Sequence, residues 1–158
     1  MHSELVIALA LGIGFVAGLR SLTAPAAVSL AARLGWLDLS GSSLAFMGST
    51  VVAVVLSLLA VAEYVADLLP TMPSRTAPGP LVARVVMGGL SGACLCASAG
   101  RSLPMGAVVG GLGAVIGAFA GYQARTRLVR ALGVKDAVIA LSEDVVAIAL
   151  AWLFVSRG

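Results

Sequence analysis

Six apolar runs divide the chain, and four of them are long enough to cross a membrane. A helix rises 1.5 Å per residue, so a transmembrane span needs about 20 residues, with about 17 as a lower bound. The runs at 44–69, 81–99, 104–122 and 134–155 meet this length, whereas those at 5–19 and 23–37 are shorter. The pattern predicts an all-α integral membrane protein with four full transmembrane helices and a shorter N-terminal pair, giving five to six membrane segments.

The composition excludes a water-soluble fold. Hydrophobic residues make up 60% of the chain and charged residues only 11%, whereas soluble domains carry about 25% charged residues. The excess apolar surface of this chain must face lipid, because a soluble chain of this size would need more polar surface to cover one core. We therefore expect residues 1–158 to form a single membrane domain whose principal partner is the lipid bilayer.

The two short runs at the N-terminus are separated by a break. Gly18, Arg20, Thr23 and Pro25 lie in or next to it, and proline is tolerated in the first turn of a helix but not in its interior. Residues 5–37 are therefore either a helical hairpin or one broken span. The hairpin is favoured, because it carries Arg20 toward the side of the membrane that holds most of the carboxylates.

Basic residues set the expected topology. The densest cluster is Arg125, Arg127, Arg130 and Lys135, so this segment is placed in the cytoplasm. If residues 5–37 form a hairpin, both termini lie outside; if they form one broken span, the N-terminus lies inside. The formal charge of +3 falls mostly in short gaps between apolar runs, where it sets topology, and nucleic-acid binding is not expected.

A stripe of glycines follows one face of the fifth apolar run. Small residues at spacings of three and four let helix backbones approach closely in lipid, where no hydrophobic force drives helices together. The stripe predicts tight helix packing, either within the chain or between the subunits of a homo-oligomer. Its members are Gly106, Gly110, Gly113, Gly117 and Gly121.

Carboxylates within the apolar runs mark the candidate site. Glu63 and Asp67 are four residues apart on one helix face, and Glu143 and Asp144 interrupt the last run. With the predicted topology, Glu63 and Glu143 both lie about 10 Å inside the cytoplasmic boundary. An ionised carboxylate at that depth must be paired, hydrated or protonated. With Arg20 as counter-charge, these residues form either a hydrated cation or proton site or a structural salt-bridge network.

No enzymatic activity and no cofactor are predicted. The sole histidine is His2, and none of the usual hydrolase, metalloprotease or P-loop motifs occurs. Cys94 and Cys96 have the wrong spacing for a redox pair or a zinc site and are read as small helical residues. Whether the acidic cluster binds a metal ion stays open.

Short motifs in a consistent order resemble a known family, the bacterial integral membrane family catalogued as domain of unknown function 4126. The likeness runs from about residue 12 to residue 150, and it implies a small multi-pass protein of the bacterial inner membrane. It implies no activity, but it marks the buried charges as the family's own signature. The motifs are Gly18-Leu19-Arg20 followed by Pro25, Glu63-x-x-Ala66-Asp67 followed by Pro70 and Pro73-Ser74-Arg75, Gly117-x-x-x-Gly121-Tyr122 followed by Arg125, and Glu143-Asp144-x-x-Ala147-Ile148.

Two functions remain after these exclusions. The leading prediction is a small transporter or channel that moves a cation or a proton-coupled small solute through the acidic cluster. The alternative is a non-transporting structural or partner-binding membrane protein, whose buried charges only hold its helices together. Water reaching the carboxylates would support transport, whereas a dry lock between arginine and carboxylate would support the structural role.

Overall fold

The computed structural model describes residues 3–67, 76–133 and 136–158, and every regular element within those ranges is helical. Lys135, counted in the predicted topology, and Arg75, part of a family motif, lie outside the described residues. The six α-helices of the described ranges are α1 (Ser3–Leu19), α2 (Thr23–Arg33), α3 (Thr50–Ala66), α4 (Pro78–Ser98), α5 (Leu103–Leu132) and α6 (Asp136–Val155). A short 3-10 helix, Ala45–Gly48, precedes α3.

Three of the described helices, α4, α5 and α6, are long and apolar enough to cross a membrane. The fourth full span predicted at residues 44–69 is not confirmed. That run is divided at Ser49, whose backbone is extended and whose Oγ accepts a hydrogen bond of 3.2 Å from the Val52 amide. Serine is a favoured N-cap, so α3 begins at Thr50 and extends over only 17 residues.

The first two helices, α1 and α2, form a hairpin. Near its end, α1 meets the first turns of α4, where Arg84 Nε donates to the Gly18 carbonyl over 3.0 Å. Near its beginning, α1 packs Val6 beside Cys96, in the last turns of α4. The chain after α2 returns to that same end of α4, where the amide of Asp38 donates to Ser98 Oγ. The two helices therefore run in opposite directions, as the hairpin interpretation predicts.

Glycines join α1, α4 and α5 into a tightly packed core. A Cβ atom added to Gly106 or Gly110 would overlap the backbone carbonyls of Gly92 and Gly88 on α4. One added to Gly113 or Gly117 would overlap backbone carbonyls on α1. Four of the five glycines in the stripe thus pack within the chain, Gly106 and Gly110 against α4 and Gly113 and Gly117 against α1. Close backbone approach of this kind stabilises helix pairs in lipid.

The two ends of the helix bundle differ in the number of basic residues. Arg33, Arg101 and Arg157 lie at the end that holds the start of α1 and the last residue, Gly158. The other end holds the α1–α2 turn and the last turns of α5. Its basic residues within the described ranges are Arg20, Arg84, Arg125, Arg127 and Arg130.

We expect both termini to be extracytoplasmic, because the positive-inside rule places the more basic end of the bundle in the cytoplasm. Reporter fusions at the N- and C-termini that are active only in the cytoplasm or only outside it would measure this. A cytoplasmic signal at both ends would reverse the orientation. Opposite signals at the two ends would contradict the hairpin itself.

Candidate functional site

The candidate site surrounds the break between α1 and α2. Arg20 lies in this break with 0% of its surface exposed. The break follows from local sequence, because Pro25 has no amide hydrogen and fits only near a helix start. A break within a bundle leaves carbonyls at the end of one helix and amides at the start of the next without helical partners. Side chains from other helices supply those partners.

Two carboxylates from different helices flank Arg20. Its Nη1 contacts Asp67 Oδ2 at the end of α3, and its Nε lies 2.6 Å from Asp144 Oδ1 on α6. These contacts are close ion pairs rather than well-aligned hydrogen bonds. The guanidinium also donates to the Ala140 carbonyl over 3.4 Å and lies 5.8 Å from the ring centre of Tyr64. Arg20 therefore joins the helix break to α3 and α6.

Glu63 caps the start of α2. Its Oε1 accepts hydrogen bonds from the amide of Ser21 at 2.9 Å and from the hydroxyl of Ser21 at 2.6 Å. Its Oε2 accepts from the amide of Leu22 at 2.9 Å. A negative charge is favourable at a helix N-terminus, where amides point outward and the helix dipole is positive. Glu63 thus binds the backbone of the break, in a contact separate from the ion pairs of Arg20.

Arg84 performs the complementary role at the end of α1. It is buried on α4, and its Nε donates to the Gly18 carbonyl over 3.0 Å, among its other contacts. Positive charge is favourable at a helix C-terminus for the same electrostatic reason. The break therefore has a guanidinium at its carbonyl side and a carboxylate at its amide side.

Arg125 links three carboxylates at the end of α5. Its Nε and Nη2 donate to the two oxygens of Asp136 at 2.8 and 2.5 Å. Its Nη1 donates to Asp67 Oδ2 at 2.9 Å and lies 3.8 Å from Glu143 Oε2. Because Asp67 Oδ2 also contacts Arg20, it bridges the two guanidiniums. Bidentate pairs between arginine and a carboxylate are strong and geometrically specific.

Five carboxylates and three guanidiniums form one group around this break, within the part of the chain that the structure describes. Arg127 and Arg130 lie at the same end of the bundle, so the described carboxylates and arginines there are equal in number. Carboxylates that are partly removed from water favour uptake of a proton or a cation. We call this group the charge network: Arg20, Glu63, Asp67, Arg84, Arg125, Asp136, Glu143 and Asp144.

The five site residues predicted from sequence all belong to the charge network. Arg20, predicted as the counter-charge of the four carboxylates, contacts two of them, Asp67 and Asp144. Glu63 instead binds amides of the break, and Glu143 lies near Arg125.

Two further members of the charge network, Arg125 and Asp136, were not predicted to belong to the site, and Arg125 was used only as a topology marker. One signal could have identified Arg125, since it ends the motif that begins at Gly117 in the family resemblance. Within the described ranges, no group of three histidine, cysteine or acidic residues is arranged to hold a metal ion.

The described part of the chain is a helical bundle, in which three helices are long and apolar enough to cross a membrane and buried charges surround a helix break. These features are those of a multi-helix membrane protein. A family model described as Domain of unknown function (DUF4126) matches residues 7–156, so the chain belongs to that family. The match confirms the resemblance drawn from the sequence motifs. No curated protein and no solved structure matches the chain.

Proposed function

We propose that this protein is a small transporter or channel of the bacterial inner membrane, which moves a cation or a proton-coupled small solute through the charge network. The observation that carries the proposal is a set of linked carboxylates and guanidiniums that leads to a buried helix break. Carboxylates within a membrane domain are costly to ionise without partners, and such residues mark proton and ion pathways.

The order of burial within the charge network supports this function. The side chain of Asp136 is 61% exposed, and Arg125 connects it to Asp67. Asp67 contacts the fully buried Arg20, which contacts the largely buried Asp144. Alternating acidic and basic groups thus lead from the surface of the bundle to its interior. The carboxylates along this path offer successive sites for a proton or a small cation, while the guanidiniums, which stay protonated, separate and orient them.

The broken helix pair gives further support. Transporter sites are often formed where discontinuous helices leave backbone groups unpaired within the membrane, because those groups and nearby charges can bind ions and substrates. Here Glu63 and Arg84 occupy the two sides of the break. Their contacts tie the backbone of the break to α3 and α4.

The alternative is a structural or partner-binding protein without transport. The bidentate contact between Arg125 and Asp136 favours it, because such a lock stabilises helix ends whether or not anything crosses the membrane. The capping role of Glu63 is compatible with both functions. A measurement of ion flux through the purified protein distinguishes the transport function from the structural one.

The test is ion flux into liposomes that carry the purified protein and enclose either a pH-sensitive or a sodium-sensitive dye. With a negative potential inside, we expect protons or sodium ions to enter faster than into protein-free liposomes. Glu143→Gln and Asp144→Asn should each reduce this flux about tenfold or more, because each removes one ionisable carboxylate of the charge network. Glu4→Gln is the matched control, since this exposed carboxylate lies outside the charge network. Folded wild-type protein that passes neither ion would support the structural alternative.

A further inference from the structure

A second feature lies beside the charge network, in the space between α2, α3 and α6. Here a cavity of about 150 Å³ opens toward the outside of the bundle. α2 packs against both other helices, and alanines on the facing surfaces leave room between them, including Ala26, Ala60 and Ala151. Trp152 forms part of its wall and packs against Trp36 at a ring-centre distance of 5.1 Å.

The lining of this cavity carries no formal charge. It is mostly aliphatic and aromatic, and its polar side chains are Thr23, Ser57 and Tyr64. The hydroxyl of Ser57 already donates to the Ala53 carbonyl over 2.7 Å. Thr23 and Tyr64 share one hydrogen bond of 2.6 Å between their hydroxyls, so each keeps further capacity to accept or donate. One end of an otherwise apolar cavity therefore offers two hydroxyls.

We propose that this cavity binds the solute, and that the solute is an uncharged, largely apolar molecule of about six heavy atoms with one neutral hydrogen-bonding group. An apolar cavity of about 150 Å³ holds a molecule the size of benzene. A charged ligand is disfavoured, because the walls would remove its water without supplying an opposite charge. The hydroxyl or amide of the solute pairs with Thr23 and Tyr64.

Tyr64 connects this solute site to the charge network. Tyr64 lines the cavity and shares a hydrogen bond with Thr23, while its ring lies 5.8 Å from the guanidinium carbon of Arg20. A ligand that displaces or joins the bond between Thr23 and Tyr64 thus acts on a residue in contact with Arg20. This assignment rests on the proposed transport function, for which it names the solute, and it places solute and proton or cation in adjacent sites.

Fluorescence of Trp152 measures binding directly. The chain has two tryptophans, so Trp36→Phe leaves Trp152 as the sole indole reporter. In liposomes containing this variant, we expect 3-bromopropan-1-ol to quench the fluorescence saturably, because its bromine would lie beside the indole. Adding Ala60→Leu should abolish the saturable part, since leucine fills the cavity. Adding Val54→Leu should preserve it, because this residue lies on the exposed face of the same helix.

Tyr64→Phe tests the polar end of the cavity. It keeps the ring beside Arg20 and removes only the hydroxyl, so binding of 3-bromopropan-1-ol should weaken about threefold to tenfold while binding of 1-bromopropane is unchanged.

Quenching that rises linearly and equally in the Ala60→Leu and Val54→Leu variants would show only partition into the bilayer and would overturn the proposal. Should Ala60→Leu fail to fold, Ala151→Leu fills the cavity from α6. Saturable binding without ion flux would refute transport alone, and ion flux without saturable binding would refute the solute site alone.

Discussion

Replacing Arg20 with alanine is expected to lower the free energy of unfolding by roughly 3 to 5 kcal/mol, because it leaves buried carboxylates without their counter-charge. Asp144 should suffer most, since its contact with Arg20 is the ion pair that the structure gives it, whereas Asp67 keeps Arg125. Thermal unfolding in detergent and the yield of folded protein would measure the loss. Arg157→Ala is the control, because that arginine lies exposed near the C-terminus.

A double-mutant cycle identifies the partner of Arg20. Adding Asp144→Asn to Arg20→Ala removes the uncompensated charge, so the combined loss should be smaller than the sum of the single losses. The cycle of Arg20→Ala with Glu63→Gln should be close to additive, because Glu63 binds amides of the break. Additivity in the Asp144 cycle would contradict the ion pair. Strong coupling in the Glu63 cycle alone would instead identify Glu63 as the partner of Arg20.

Hydropathy predicted the long helices but not their ends. The run at 104–122 corresponds to α5, yet the helix continues to Leu132 through three arginines. Arginine is a good helix former, so a helix continues beyond the point where its hydropathy falls. The fall in hydropathy marks the part of the helix that is suited to lipid, and not the end of the helix. α5 stops before Gly133, whose backbone has a left-handed φ of 61°. Glycine is the usual residue in that conformation after a helix.

The N-terminal half shows the opposite error. The run at 44–69 has continuous hydropathy, but its backbone changes direction at Ser49. Apolar composition does not distinguish one long transmembrane helix from a short 3-10 helix followed by a shorter α-helix, because both arrangements lie in apolar surroundings. The serine cap, followed by Thr50, was the local signal that the helix begins later.

Sequence identified the members of the candidate site better than their contacts. Depth along each helix placed carboxylates from α3 and α6 together, which the structure also does. The partners of these carboxylates depend on how each helix is rotated about its own axis. Two carboxylates one helical turn apart can therefore contact different groups. Glu63 faces the amides of the break, while Asp67 faces Arg20 and Arg125. Such rotations are set by tertiary packing, which no local pattern encodes.

The glycine face of α5 gives the second large expected effect. Gly117→Leu should destabilise the protein by about 3 kcal/mol or more, the upper end of losses caused by overpacking. The reason is geometric, because even a Cβ at Gly117 would overlap the backbone carbonyl of Phe15, and a backbone yields only if α1 and α5 separate. Gly113 meets the Leu11 carbonyl in the same way, so Gly113→Leu should have a comparable effect.

Leu112→Ala is the matched control for both glycine variants, because Leu112 is 57% exposed on the same helix and a trimmed lipid-facing side chain loses little packing. The measurement is the midpoint of thermal unfolding in detergent, together with the oligomeric state from size-exclusion chromatography and light scattering. If the glycine face packs within the chain, both leucine variants unfold at lower temperature whatever their oligomeric state. If the variants instead keep the wild-type midpoint and only lose a subunit contact, the face belongs between subunits, and the packing of α5 against α1 is wrong.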